Sequence, residues 1–188
     1  MAILNIYSDG ACSGNQNETN TGGWGAVLEY GEHRLDISGG SPNTTNNRME
    51  LSAVIEALKV LKRDDVRIRV FTDSSYVSNA FREGWVANWQ ANGWKTAGKK
   101  PVENRDLWEE LLSLTAKHEV RFFRVKGHVN LNSPNTDVTK HYEKFTAING
   151  SDFSLDEFRH IIEMNNRADE LANIGIYEAR IRAPEDRL

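Results

Sequence analysis

Cysteine is nearly absent: Cys12 stands alone in 188 residues. A single thiol excludes a disulfide framework and a cysteine-built zinc centre, and it suits a reducing, cytoplasmic setting. Proline is scarce too, at 4 residues, and no Pro- or Gly/Ser-rich stretch offers an interdomain linker. There is no long apolar run, so no membrane-spanning helix is expected, and no basic-then-apolar leader opens the chain. Neither sign of charge dominates: 23 Lys+Arg face 27 Asp+Glu, a net of −4. At face value that mild acidity speaks against a nucleic-acid partner. Aromatics, by contrast, are plentiful. With 5 Trp, 5 Tyr and 7 Phe the chain is built to bury a core, despite a mean hydropathy of −0.59. The length suits one compact domain over residues 1–188.

Charge is unevenly spread. Residues 1–81 carry 7 basic and 10 acidic side chains, residues 82–126 carry 9 and 6, and residues 127–188 carry 7 and 11. The middle segment is therefore a cationic island between two acidic parts, and it holds Trp85, Trp89, Trp94 and Trp108. Cations interleaved with aromatic rings suit a phosphate backbone, because the cations displace counterions and the rings pack on sugars or bases. Composition by itself favours the plainer reading, a helical surface with snorkelling lysines over core tryptophans.

Hydrophobic periodicity predicts strands at 2–8, 23–30, 33–39, 66–72 and 119–125. It predicts helices at 47–63, 74–92 and 105–117. Residues 13–23 read as turn chemistry throughout, and 95–104 as a loop. The segment 127–153 reads as a long, polar, Asn-rich loop. Ser154-Leu155-Asp156-Glu157 then has the form of a capping box opening a last helix, with Asn165-Asn166 as a point where it could break in two. This order implies an α/β fold: a mixed sheet with helices packed on it.

Four acids stand where a purely structural reading would not place them. Asp9 follows the first apolar strand, and Asp73 follows VRIRVFT. If those strands are parallel neighbours, both carboxylates emerge at one edge of the sheet, where open α/β sheets place ligands. Glu50 shares a helix face with Val54, Ala57, Leu58 and Leu61, and an acid on a buried stripe is costly unless it meets a cation. Asp169 is one residue from the core-type Ala168. Each acid alone is an ordinary turn or surface residue. Jointly they would repel one another unless hard cations were present, and oxygen-only ligation is the preference of Mg²⁺ or Mn²⁺. His128, just after the fifth strand, falls near the same edge, where an imidazole could shuttle a proton or simply bond the backbone of its own turn.

These residues lie in blocks whose order and wording closely resemble type 1 ribonuclease H in its bacterial form. The blocks are Asp9-Gly10-Ala11-Cys12-Ser13-Gly14-Asn15, Gly22-Gly23-Trp24-Gly25, Thr44-Thr45-Asn46-Asn47-Arg48-Met49-Glu50-Leu51, Thr72-Asp73-Ser74, Gly93-Trp94-Lys95-Thr96, Lys99-Lys100-Pro101-Val102, Val125-Lys126-Gly127-His128 and Ala168-Asp169-Glu170-Leu171-Ala172. The resemblance implies the ribonuclease H-like fold, a mixed five-stranded sheet flanked by helices, with a basic protrusion at about 82–104. It implies endonucleolytic hydrolysis of the RNA strand of RNA–DNA hybrids, leaving 5′-phosphate and 3′-hydroxyl ends. On the same footing Asp9, Glu50, Asp73 and Asp169 hold two Mg²⁺, with Mn²⁺ as a substitute, and His128 assists proton transfer. Cys12, Asn15, Asn46 and Asn47 line the minor groove, where 2′-hydroxyls tell RNA from DNA. Thr45 and Asn104 hold a DNA phosphate, while Trp85, Trp89, Trp94, Lys95, Lys99 and Lys100 grip the DNA strand. The expected partner is thus a hybrid, acted on by a monomer without membrane or protein partner. Two other readings are a hybrid-binding module of weak catalysis and a nuclease of the same fold acting on DNA.

The sequence also departs from the family pattern. The turn after Asn15 reads QNETNT, Ser75 replaces a common amide, Glu103 puts an acid in the basic protrusion, and Asn166 stands where a further acid is usual. The largest departure is the separation of His128 from Asp169 by 41 positions, against connections of about 2–6 residues in compact α/β units. An insertion at about 131–160 is expected there. It reads either as a helical lid over the histidine loop or as a neutral elaboration of the surface.

Overall fold

The computed structural model describes residues 2–14 and 20–182. Five strands, β1 (Leu4–Ser13), β2 (Thr21–Tyr30), β3 (His33–Pro42), β4 (Arg67–Thr72) and β5 (Glu119–Arg124), form one sheet in the order β3-β2-β1-β4-β5. β1, β2 and β3 pair antiparallel, while β4 and β5 run parallel to β1. The helices are α1 (Asn46–Lys59), α2 (Ser75–Arg82), α3 (Trp85–Ala91), α4 (Arg105–Thr115), α5 (Val138–Asn149) and α6 (Leu155–Arg182). This is the mixed five-stranded α/β sheet expected from the sequence. No described helix is long and apolar enough to cross a membrane.

Alternation along the strands sorts the core into two halves. Ile6, Val70 and Phe122 face the side covered by α1 to α4, where they meet Val54, Leu58, Trp108 and Leu111. Tyr7, Phe71 and Phe123 face the other side, beneath α5 and α6. That second half is aromatic. Phe71 stacks on Tyr7 and on Phe123, each at 5.2 Å, and Phe153 meets Phe123 and Phe145 edge-on at 5.2 and 5.1 Å.

Four local readings change. β1 runs to Ser13 and β2 starts at Thr21, so part of the stretch read as turn is strand, and Asp9 lies inside β1 opposite Gly25. The helical stretch 74–92 is divided at Gly84, whose φ of 74° ends one helix and starts the next. The long polar loop contains α5, which buries Phe145 and carries Asp137 as an N-cap accepting from the Lys140 amide. α6 is one helix of 28 residues: Asn165 and Asn166 do not break it. Its capping box forms as read, with the Glu157 amide donating to Ser154 Oγ at 3.1 Å and the Ser154 amide to Glu157 Oε2 at 3.3 Å.

α5 is tied to the sheet edge by polar contacts of unusual directness. The Asn149 side chain accepts from the Arg124 amide at 3.0 Å and donates to the Arg124 carbonyl at 2.8 Å. It thus pairs with edge strand β5 as a neighbouring strand would and covers groups that would otherwise invite intermolecular pairing. From α2, Arg82 donates to the carbonyls of Phe122 and Ile148, at 3.2 and 2.6 Å. Tyr142 donates its hydroxyl to the Phe153 carbonyl at 2.6 Å. Phe153, the hub of these rings, lies in no helix yet is 4% exposed. Phe153→Ala is expected to cost about 3–5 kcal/mol, measured by urea unfolding, with α5 and the sheet lost in a single transition. An unchanged midpoint would show the second aromatic core to be dispensable.

Candidate active site

Parallel pairing of β1 with β4 puts Ser8 opposite Thr72, so Asp9 and Asp73 leave the paired region side by side. The Val125 amide donates to the Thr72 carbonyl at 2.9 Å, which delivers the 125–128 loop to the same edge. Thr45 caps α1, its hydroxyl accepting from the Arg48 amide, and the first turns of α1 then bring Glu50 against β1. That approach depends on Gly10: a Cβ there would lie 2.6 Å from the Met49 carbonyl carbon. Carboxylate oxygens of Asp9, Glu50 and Asp73 come within 4.8 Å of one another.

Asp169 arrives from α6, for which Gly25 clears the way. Gly25 sits across from Asp9, and a Cβ on it would press to 2.5 Å of the Ala168 carbonyl oxygen. Asp169 lies outside the tight triad but lines the same open groove of about 610 Å³, and its charge bears on Asp9. The groove also takes in Cys12, Asn46, Asn47 and His128. His128 is on an exposed turn with φ of 56°, and its Nδ1 is 3.9 Å from Asp169 Oδ2. Gly127 completes the arrangement, since a side chain there would collide with the Asp73 carboxylate.

The electrostatics are those of crowded, buried carboxylates. Glu50 is 4% exposed and its Oε2 has no hydrogen-bond partner among the described residues. Burial, then repulsion from Asp9 and Asp73, holds its carboxyl well above the usual range. Burial together with Asp73 and Asp169 pushes Asp9 up to about 8, against which the Gly10 amide at 2.9 Å gives partial relief. Asp73 is raised as well, chiefly by burial. Buried, mutually repelling oxygen donors with an unused lone pair fit a hard divalent cation.

The remaining expected contacts fall in two places. Thr45 and Asn104 are linked through Arg48, whose guanidinium bonds Asn104 Oδ1 at 3.3 Å and grips Asp106 at 3.0 and 2.8 Å. Lys95, Lys99 and Lys100 are exposed around a small turn closed by a Lys95–Pro101 bridge. The tryptophans lie beneath that turn. Trp94 is 8% exposed, with Arg105 over its ring, and Trp89 packs on Trp94 and Trp108 at 6.2 and 5.3 Å. Trp94 is thus a footing for the lysines with almost no ring left to offer a ligand, whereas Trp85 and Trp89 are half-buried. Asn15 lies outside the described residues.

Sequence reasoning passed over several contributors. Gly10, Gly25 and Gly127 set the spacing of the acids, and Tyr76 and Asn173 line the groove beside Ser75, the position that lacks the common amide. Tyr76 also accepts from Asn104 Nδ2 and Trp108 Nε1 at 3.1 and 2.9 Å, joining groove and protrusion. Their only sequence signal is adjacency to the acid-bearing motifs.

The raised acids make stability depend on pH in a defined direction. Asp9 keeps its proton to about pH 8 when folded, against an ordinary value of 3.8. Between those values the folded state binds more protons than the unfolded one, so the metal-free protein loses stability as pH rises. In EDTA, Tm is expected to fall from pH 5 to pH 8. A divalent cation at a hundred times its Kd should return about 2.7 kcal/mol at the upper end of that range. A Tm indifferent to both pH and cation would exclude a metal centre.

The RNase H family model matches residues 1–142, which leaves Asp169 beyond the matched stretch and dependent on the geometry above. The ribonuclease H of Moorella thermoacetica is 54% identical over 128 residues, 68% of this chain and 82% of that one. The ribonuclease H of Chlorobaculum parvum is 46% identical over 175 residues, 93% of this chain and 96% of its own. Among solved structures, LC9-RNase H1, a type 1 RNase H with the type 2 active-site motif, superposes with a TM-score of 0.62 at 28% identity, covering 90% of this chain and 85% of its own. The RNase H domain of prototype foamy virus gives a TM-score of 0.61 at 23% identity, over 94% and 95% of the two chains, a likeness of fold. A sheet edge that gathers these acids, and relatives that share the chain around them, make this protein a member of the ribonuclease H family.

Proposed function

We propose that Asp9, Glu50, Asp73 and Asp169 hold two Mg²⁺ ions in the groove, with Mn²⁺ as a substitute, and that the RNA strand of an RNA–DNA hybrid is cut there. Hydrolysis of that strand is the activity of the family, and it leaves a 5′-phosphate and a 3′-hydroxyl. The observation that carries the reading is the gathering of carboxylate oxygens from Asp9, Glu50 and Asp73 within 4.8 Å of one another, with Glu50 buried and its Oε2 without a hydrogen-bond partner among the described residues. Once bound, such a pair of ions supplies an acidified water and screens charge on the scissile phosphate. The chain's own residues do the rest. Asp9 and Asp73, fixed by parallel strands, set the position of the phosphate to within the tolerance of the sheet. His128, exposed beside Asp169, exchanges a proton with the groove at its ring.

Substrate choice follows from shape. Cys12, Asn46 and Asn47 border the acids on one side, where small polar groups can meet 2′-hydroxyls across a shallow minor groove without reading bases. Thr45 and Asn104, joined through Arg48 at the start of α1, form a corner for a phosphate of the DNA strand. Lys95, Lys99 and Lys100 extend the contact along that strand. A silent binding module is the weaker reading, because clustered unneutralised carboxylates repel a nucleic acid.

The test is cleavage of an end-labelled hybrid beside matched RNA and DNA duplexes, with Mg²⁺ or EDTA. Cutting of the hybrid alone, in Mg²⁺ alone, is expected, and Asp9→Asn or Asp73→Asn should abolish it. Cleavage of the DNA duplex would overturn the substrate, and tight binding without cutting would promote the binding module. Gly127→Ala, which forces Asp73 aside, should lower kcat by about a hundredfold with KM little changed. Wild-type turnover in that variant would show that Asp73 has room to shift.

A further inference from the structure

A second cavity, of about 520 Å³, adjoins the groove on the side away from the protrusion and shares Asp73 and His128 with it. Its far wall is α5, the helix within the insertion. Arg124 and Lys126 line it from the end of β5, His141 and Lys144 from α5, and Phe145 and Phe158 close its floor. Asp73 is the only acid lining it among the described residues. Among the described residues no carboxylate lies within ion-pairing distance of Arg124, Lys126 or Lys144, whereas Arg34, Arg48, Arg67 and Arg167 each have one. Unpaired cations converging on a concave surface are a site for an anion. The walls are also fixed in place, since Asn149 and Arg82 fasten α5 to β5 and Tyr142 fastens it to Phe153. That anchoring makes α5 a standing wall and not a swinging lid.

We propose that this cavity binds a backbone phosphate of the RNA strand adjacent to the one being cut, so that the insertion adds a substrate subsite of its own. The proposal rests on the hybrid-cleaving reading above. A strand whose scissile phosphate sits at Asp9 and Asp73 continues past one side of the groove, and the cavity opens on that edge through Asp73 and His128. Arg124 and Lys144 suit a phosphate as fork and point charge, His141 can add a donor, and the phenyl floor gives a sugar a surface to rest on. The protrusion serves the other strand from the far side, so the two basic regions do not duplicate each other.

The experiment compares the full-length wild type with Arg124→Ala/Lys144→Ala and with a charge-matched control, Lys62→Ala/Lys117→Ala. Lys62 and Lys117 are exposed in the turns leading into β4 and β5, at the opposite sheet edge. In steady-state cleavage of a hybrid in Mg²⁺, the cavity variant should raise KM about tenfold with kcat within twofold. The slope of log(kcat/KM) against log salt should flatten by about one to two, as for lost phosphate contacts. The control should match wild type. Lys144→Gln, at an exposed position that leaves the core intact, should give part of the same change. Hybrids whose RNA strand is shortened from either end, with the DNA strand kept whole, locate the contact. Once the RNA no longer reaches the cavity, the wild-type KM should rise to that of the double variant. An active wild type that the double variant equals in KM and salt slope overturns the subsite alone. A penalty undiminished by RNA shortening places the phosphate on the other strand and overturns it too. A wild type that leaves the hybrid intact overturns the parent reading, and the subsite with it.

Discussion

The constraint on which the rest depends is the mutual repulsion of Asp9, Glu50 and Asp73. Three carboxylates within 4.8 Å, two of them buried, are unfavourable in any folded chain without counter-charge. Elements that have no part in the chemistry hold them there: the register of β1 with β4, the cap at Thr45, and the aromatic and aliphatic layers on either sheet face. Relaxation would be easy if backbones could draw apart. Glycines prevent it by letting them come too close for any side chain, at Gly10 under α1 and at Gly25 under α6. The site is therefore rigid because its neighbours are packed without side-chain padding.

This explains what could be read from the sequence and what could not. Asp9 and Asp73 were readable because apolar β-branched and aromatic runs end at them, while the parallel pairing of β1 with β4, which have β2, β3 and α1 between them in the chain, came from the structure. Glu50 was readable because it interrupts an apolar helix face. The full extent of β1 and the start of β2 were hidden, because Gly10 and Gly22 look like turn residues and glycine is depleted in strands. They are strand residues because helices lie on them. α5 was hidden for another reason: only Val138, Tyr142 and Phe145 mark its inner face, and only Phe145 is buried. A helix held by Asn149 and Arg82 at one end needs no broad apolar stripe, and polar docking of that kind has no periodic signature.

The tryptophans show the limit of composition as evidence. A basic, Trp-rich segment suggested rings stacking on nucleic acid, yet Trp94 and Trp108 are enclosed and Trp89 lies between them. Their contribution is mechanical. Lys95, Lys99 and Lys100 are useful to a phosphate chain only if the turn bearing them keeps its shape, and a stack of large rings stiffens a turn with strained φ at Trp94 and Lys99. The rings follow the plainer reading, and the proposed grip on a nucleic acid rests on the exposed lysines.

Net charge conceals the same division of labour. The total of −4 includes the acids at the groove, whose repulsion a pair of divalent cations would cancel. Beyond them, cations flank the groove on two sides, at the protrusion and around the α5 cavity, while several other acids are paired with arginines. Asp36 is held low by Arg34 and Arg167, and Asp106 by Arg48. What a nucleic acid would meet is therefore a local field of the opposite sign to the whole, and local fields govern association at distances shorter than the screening length of about 8–10 Å. Because the favourable field is confined to those two flanks, grip on the substrate depends on few cations. Affinity then rests on each of them more heavily than it would in a uniformly basic protein, and the insertion becomes a means of adding cations where the protrusion cannot reach.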